Sequence, residues 1–171
     1  LMKKKILIFG SGNQARVVSN LLYKKFRILG YLVTKKTKQK KLNNKNVYLL
    51  TKGKFSELTK NKKCLAIIAV GDNKIRKKIF DQTKKLKLNI EWISMISKKA
   101  IVSNDVKIGK GSLVMPGCII NNGSVIKDHC IINTGSIIEH DVSIGENSHI
   151  STGVIVNGGV KIGKNCFIGS G

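Results

Sequence analysis

The chain of 171 residues is long enough to bury a hydrophobic core without disulfide bonds or metal ions, and it can hold one ordinary domain or two small ones. It has no run of eighteen apolar residues and no early apolar run long enough for a secretory signal. These features exclude a membrane-spanning helix and favour a cytoplasmic protein. The four cysteines lack the close spacing of metal ligands, so we expect reduced thiols and no bound metal.

The net charge of +23 is confined to the first part of the chain. Residues 1–99 hold 27 Lys and Arg against 4 Asp and Glu, whereas residues 100–171 hold 5 of each class. We therefore predict two domains, residues 2–97 and residues 98–171. The lysines are scattered without interleaved aromatic residues, which argues against a nucleic-acid partner. A solvated lysine-rich surface is the favoured interpretation, and attraction of a polyanionic small molecule is the alternative.

The first predicted strand, Ile6–Phe9, runs into a glycine turn that opens a helix through Leu22. Glycines at such a turn let backbone N–H groups and a helix N-terminus approach a phosphate. The motif is a partial dinucleotide-binding fingerprint, because Ala15 stands where the third glycine is expected. A second strand is predicted over 27–33, and no acidic residue follows it to hold a ribose, which argues against a nicotinamide cofactor.

A second glycine turn follows the predicted strand over 64–70 and opens a helix to about Leu86, with Asp72 or Asn73 as its N-cap. A further strand is predicted over 89–93. Both glycine turns should lie at one edge of a parallel sheet, which makes the domain Rossmann-like and suggests an acceptor pocket there. The predicted pocket residues are Gly10, Gly12, Asn13, Gln14, Gly71 and Asn73.

The second domain has a period of six residues. Ile or Val occupies every sixth position from Val102 to Ile168, and a small or β-branched residue stands two positions before each. This period predicts a prism of short strands with the aliphatic side chains inside, and three six-residue units close one coil of 18 residues. Gly or Asn often follows the aliphatic residue, where we expect unusual backbone angles. The chain stops inside the fourth coil, so we expect the domain to be C-terminally incomplete.

The periodic segment resembles the hexapeptide-repeat family, and the whole chain resembles the bacterial sugar O- and N-acyltransferases that modify sialic acids or UDP-linked amino sugars. The motifs that carry the second resemblance are Gly10-Ser11-Gly12-Asn13-Gln14-Ala15-Arg16-Val17-Val18, Ala69-Val70-Gly71-Asp72-Asn73-Lys74-Ile75-Arg76 and Ile138-Glu139-His140-Asp141. The resemblance implies a left-handed parallel β-helix, a homotrimer with active sites between adjacent prisms, a nucleotide-sugar acceptor in the first domain and acetyl-CoA on the prism. The chain departs from the family at Gln14, usually His, and at residues 33–36, which lack the usual acidic pair.

His140 is the predicted general base, because it lies two residues past an interior Ile and beside Asp141, which can fix its tautomer. By resemblance His149 contacts acetyl-CoA, and Gly158, Gly169 and Ser170 are further candidates for binding it. His129 matches no family site and is predicted to lie on the surface.

The predicted function is acyl transfer from CoA, with acetyl favoured, to an amine or hydroxyl of a bacterial surface sugar, and a nucleotide-linked amino sugar is the favoured acceptor. N- against O-acylation, the sugar and the acyl length stay open. A zinc enzyme resembling γ-carbonic anhydrases is an alternative, although the histidine spacings of 11 and 9 do not stack one coil apart. A non-catalytic β-helix scaffold is the second alternative to the predicted function.

Overall fold

The computed structural model describes residues 3–171. They form two compact units, one that ends at Trp92 and one that begins at Ile93. The predicted boundary at 97/98 lies a few residues after this division of the chain, because residues 95–96 already form a strand that pairs within the second unit. Residue 2, where the predicted first domain starts, lies outside the described residues.

The first unit is a mixed α/β domain, as the sequence predicted. A six-stranded sheet runs in the order β3-β4-β2-β1-β5-β6, and only the β3/β4 pair is antiparallel. In chain order the elements are β1 (Lys4–Phe9), α1 (Asn13–Leu22), β2 (Phe26–Val33), β3 (Lys41–Leu42), β4 (Lys45–Leu49), α2 (Lys52–Thr59), β5 (Cys64–Ile68), α3 (Asn73–Lys85) and β6 (Ile90–Trp92).

Alternation along the strands builds the core of this unit. Leu7 and Phe9 of β1 join Leu32 and Ile68 in one buried cluster, which also contains Ile79 of α3. Each such side chain stabilises the fold by about 1.5–3 kcal/mol relative to exposure. The neighbouring residues of β1 point to the opposite face, where α1 contacts β1 and β2.

The short elements β3, β4 and α2 were not predicted from the sequence. Helix α2 begins after Thr51, whose side chain accepts a hydrogen bond from the Lys54 N–H at 3.1 Å, and it ends at Lys60 in the left-handed conformation. These elements have two to eight residues each, which is too short for a hydrophobic period to show.

The second unit is a three-faced parallel β-helix, which confirms the six-residue interpretation. Each strand has two residues and pairs with the strand 18 residues along the chain, for example Ile120 with Ile138. The predicted interior positions from 114 to 156 are all buried. The left-handed coil stays a prediction.

Its strands are β7 (Met95–Ile96), β8 (Ile101–Val102), β9 (Lys107–Ile108), β10 (Leu113–Val114), β11 (Ile119–Ile120), β12 (Val125–Ile126), β13 (Ile131–Ile132), β14 (Ile137–Ile138), β15 (Ser143–Ile144), β16 (His149–Ile150), β17 (Ile155–Val156), β18 (Lys161–Ile162) and β19 (Phe167–Ile168). The three faces are β7-β10-β13-β16-β19, β8-β11-β14-β17 and β9-β12-β15-β18.

Positive φ angles recur at every sixth residue of the prism, but three positions after the aliphatic residue and not directly after it. The expectation for the directly following position is therefore wrong. Gly109 and Gly145 stand there because a Cβ would lie 2.5 Å from backbone atoms of the next coil. The positive-φ residues are Gly111, Gly117, Gly123, His129, Gly135, Asp141, Asn147, Gly153, Gly159, Asn165 and Gly171.

Candidate functional site

His140 and Asp141 form an exposed pair in the turn between β14 and β15. The imidazole Nδ1 lies 3.0 Å from Asp141 Oδ2, and the two side chains are 66% and 71% exposed. A carboxylate at this distance favours the tautomer in which Nδ1 carries the proton. Nε2 is then left as a proton acceptor.

Gly158 lies one coil further along, against the ring of His140. A Cβ at Gly158 would lie 2.6 Å from Nε2, so the absence of a side chain leaves room for the imidazole. The neighbouring Gly159 N–H donates to the His140 carbonyl at 2.9 Å, and the Asp141 N–H donates to Asn122 at the same distance. Both adjacent coils therefore fix the backbone that carries the pair.

His149 lies on β16, on a different face of the prism from β14. It is 6% exposed, and Asn133 Nδ2 lies 3.2 Å from its Nε2. The ring meets Phe167 edge-on with centroids 5.1 Å apart, and Phe167 is 60% exposed. Phe167 was not predicted as a site residue from the sequence, although it is an aromatic residue at an outward strand position.

Ser170 and Gly169 follow β19 on the same face as His149. The Ser170 hydroxyl lies 3.0 Å from that of Ser151, which follows β16. The four residues predicted to bind acetyl-CoA therefore fall in two places. Gly158 contacts the ring of His140, whereas His149, Gly169 and Ser170 belong to the β16–β19 pair.

His129 is buried, so its predicted surface position is wrong. It occupies a positive-φ corner with φ of 56°, and its ring lies against Gly111 of the preceding coil. The absence of a Cβ at Gly111 leaves the space that the imidazole fills.

The first unit contains a cavity of about 450 Å³ beside the ends of β1 and β2. The two glycine turns adjoin, as predicted: Gly10 has a φ of 105°, and a Cβ there would lie 2.6 Å from Val70 Cγ2. Of the six predicted pocket residues, Gly10 alone is among those that line the cavity. The lining is Gly10, Ser11, Val33, Thr34, Lys35, Lys36, Thr37, Val70, Lys74, Ile75, Lys78 and Ile79.

Gly12, Asn13, Gln14, Gly71 and Asn73 do not line this cavity. Gly12 is the N-cap of α1, and it has no side chain with which to cap the helix. The others flank the two turns along the chain.

Gly71 and Asn73 instead contact the buried Arg76. Its Nη1 donates to the Val70 and Gly71 carbonyls at 3.0 Å each, and its Nη2 donates to Asn73 Oδ1 at 3.1 Å. Asp72 is the N-cap of α3 and accepts from the Ile75 N–H at 2.8 Å. These contacts hold the second turn in shape.

None of the cavity lysines was predicted from the sequence to bind a ligand, although Lys35 and Lys36 belong to the segment that lacks the usual acidic pair of the family. Lys74 and Lys78 stand one helical turn apart on α3, and Lys35 and Lys36 follow β2. Within residues 3–171 no group of three or more His, Cys, Asp or Glu could hold a metal ion. No helix in the same range is long and apolar enough to cross a membrane.

Two family models match the chain. Residues 5–83 match the PglD N-terminal domain, and residues 141–171 match the bacterial transferase hexapeptide (six repeats). The fold is similar to that of perosamine N-acetyltransferase from Caulobacter crescentus, with a TM-score of 0.81 and 26% identity over 100% of this chain and 88% of the other. The chain is thus similar in both units to PglD-like hexapeptide-repeat sugar N-acetyltransferases.

Two further proteins are similar to this chain over different shares of their own length. The acetyltransferase domain of PglB from Neisseria gonorrhoeae has a TM-score of 0.77 and 26% identity over 99% of this chain and 90% of that domain. An uncharacterised protein of Acanthamoeba polyphaga mimivirus is 37% identical over 108 residues, which are 63% of this chain and 20% of the relative. The matched region thus spans about a fifth of that relative's length.

Both of these similar structures were determined with ligands. The perosamine N-acetyltransferase structure is a complex with CoA and GDP-perosamine, in a variant in which a histidine is replaced by asparagine. The PglB domain structure is a complex with acetyl coenzyme A.

Proposed function

We propose that this chain transfers an acetyl group from acetyl-CoA to the amine of a nucleotide-linked amino sugar. The observation that carries the proposal is the exposed His140–Asp141 pair, with Nε2 of the imidazole left as the proton acceptor beside Gly158. The similarity to acetyltransferases crystallised with CoA, acetyl-CoA and a GDP-linked amino sugar supports the same chemistry.

His140 acts as the general base. The acceptor nitrogen attacks the thioester carbonyl carbon, and Nε2 takes the proton that this nitrogen loses. The C–N bond forms, the C–S bond breaks, and the imidazolium returns its proton to the departing CoA sulfur. Asp141 keeps the ring in the required tautomer and stabilises its positive charge. No covalent enzyme intermediate is needed.

The two ligands occupy different surfaces in this proposal. Acetyl-CoA lies along the face that carries His149, with Phe167, Gly169 and Ser170 beside it and Gly158 near the thioester. The cavity at Gly10 and the lysines of α3 hold the phosphates of the acceptor, because lysine ammonium groups and backbone N–H groups bind phosphate oxygens.

The active site is completed by a second copy of the chain in a homotrimer. His140 lies in the corner between the β14 and β15 faces of the prism, whereas His149 lies on the third face. A site that uses both residues therefore needs two copies. Sedimentation equilibrium at the assay concentration tests this arrangement. A monomer that turns over would remove the two-chain site.

The function is tested by thiol release from acetyl-CoA with a panel of UDP- and GDP-linked amino sugars, the matching hydroxyl sugars and free sialic acid. We expect turnover with an amino sugar nucleotide, and a loss of about 100-fold or more in kcat for His140→Asn. Glu146→Gln, an exposed change in the same prism, is the control. Absence of turnover with every acceptor would overturn the proposed function, and unchanged turnover in His140→Asn would overturn the role of the base.

A further inference from the structure

The charged side chains that line the cavity of the first unit are all lysines. They are Lys35 and Lys36 after β2 and Lys74 and Lys78 on α3. The other polar side chains of the lining are three hydroxyls, and the lining contains no carboxylate and no carboxamide. The cavity therefore presents hydrogen-bond donors and positive charge in excess of strong acceptors.

None of the four carboxylates of residues 3–92 lines the cavity, and none forms an ion pair with its lysines. Glu57, Asp81 and Glu91 form ion pairs with Lys54, Lys77 and Lys63, none of which lines the cavity. Asp72 accepts from the backbone as the N-cap of α3. The positive charge at the cavity is thus not compensated by the acidic residues of the unit, and an anionic ligand can supply that compensation.

Recognition of one particular nucleobase requires hydrogen-bond acceptors in the site and not further donors. Uracil and thymine carry the same ring N–H and differ by the thymine methyl group, whereas guanine presents a ring N–H beside an exocyclic amine. A carboxylate or carboxamide oxygen would accept hydrogen bonds from these N–H groups. Lysine only donates, and it can donate to carbonyl oxygens that all three bases carry. The three hydroxyls of the lining can rotate to donate or to accept, so they suit each of the three bases. A site without a fixed matching group discriminates weakly between ligands, whereas a site built around such a group rejects the wrong ligand strongly.

The phosphates find several matching groups in the same place. Gly10 brings backbone to the cavity without a Cβ. Lys74 and Lys78 lie on one face of α3, four residues apart, and can contact neighbouring phosphates. The buried Arg76 adds a fixed positive charge under the second turn, where it holds the Val70 and Gly71 carbonyls.

We infer that this cavity selects its acceptor through the diphosphate and not through the base, so that uridine, thymidine and guanosine diphosphate-linked amino sugars enter with similar affinity. The inference rests on the proposed function and specifies its substrate class as base-tolerant.

Calorimetric titration of the full chain with UDP, dTDP, GDP and UMP tests the inference without acetyl-CoA or a sugar. We expect the three diphosphates to bind within about fivefold of one another. UMP should bind at least about tenfold more weakly than UDP, because it has one charged phosphate where UDP has two. Raising the salt concentration should weaken all three diphosphates by the same factor.

A paired variant separates the cavity from the general charge of the protein. Lys74→Gln with Lys78→Gln should weaken the three diphosphates equally, by about tenfold. The matched control, Lys24→Gln with Lys25→Gln, removes the same charge just before β2, at the opposite end of that strand from the cavity. The control should change the three affinities by less than about twofold.

The inference fails if one base is preferred by about 100-fold, if UMP binds as tightly as UDP, or if no diphosphate binds. It also fails if the cavity and control variants weaken binding equally. The proposed function is judged separately by thiol release. Turnover confined to one nucleotide sugar would leave the function in place and overturn the inference. Uniform diphosphate binding without turnover on any acceptor would overturn the proposed function and leave the inference in place.

Discussion

The substitution Gly158→Ala tests whether Nε2 of His140 is the reacting atom. The added Cβ would lie 2.6 Å from Nε2 and 2.7 Å from Cε1, and ordinary contact begins at 3.4 Å. The imidazole must therefore withdraw by about 0.8 Å from its present position. A displacement of this size in a reacting group lowers the rate by up to about 100-fold.

The effect on stability should be small. Gly158 does not have a positive φ, and the His140 side chain is largely exposed, so the ring can move without disturbing the core. We expect the melting temperature to stay within about 4 °C. Gly163→Ala is the matched control, because its Cβ would meet only Cys166 Sγ at 3.7 Å.

Steady-state kinetics with acetyl-CoA and the preferred acceptor provide the readout. We expect a fall in kcat of about 30- to 100-fold with little change in the KM for acetyl-CoA. In a His140→Asn background, Gly158→Ala should have no further effect, since the group it displaces is gone. A folded variant that retains kcat within about threefold refutes this geometry, and a change confined to the KM for acetyl-CoA assigns Gly158 to that ligand instead.

Three other predictions follow from single contacts. Asp141→Asn should lower kcat by about tenfold or more, because the carboxylate that holds Nδ1 is lost. Arg76→Met should lower the free energy of unfolding in urea by about 2–3 kcal/mol, because the partly buried Val70 and Gly71 carbonyls lose their donor. An aromatic disulfide reagent at pH 8 should label Cys166 first, since burial raises the pKa of Cys64 and Cys118 and keeps these thiols protonated.

Each of these predictions has a control. Glu146→Gln should leave kcat unchanged, and the same loss there would remove the special role of Asp141. Lys77→Met changes an exposed residue of α3 and should cost less than about 0.5 kcal/mol. The fast labelling phase should vanish in Cys166→Ser, and its persistence would mean that a buried thiol reacts. Labelling of Cys64 and Cys118, the thiols whose pKa burial raises, should accelerate as the pH rises towards that pKa.

Much of the fold could be predicted from the sequence because its signals are local. The six-residue period places Ile138 inside the prism, and the same count places His140 two residues further on, outside it. The strand and the glycine turn at Gly10 could be predicted in the same way, since a buried apolar run followed by glycine marks the end of a parallel strand. Strands β3 and β4 and helix α2, by contrast, were not predicted from the sequence, because they are too short to show a hydrophobic period.

The contacts of the candidate site depend on residues that are distant in the chain, and only the tertiary structure decides them. Gly158 meets the ring of His140 because three six-residue units return the chain to the same corner, and His129 is buried against Gly111 for the same reason. The lysine pairs at Lys35 and Lys74 face one cavity because β2 and α3 meet at the same sheet edge. A pattern of spacing reports which residues share a face, whereas packing between segments decides which of them touch.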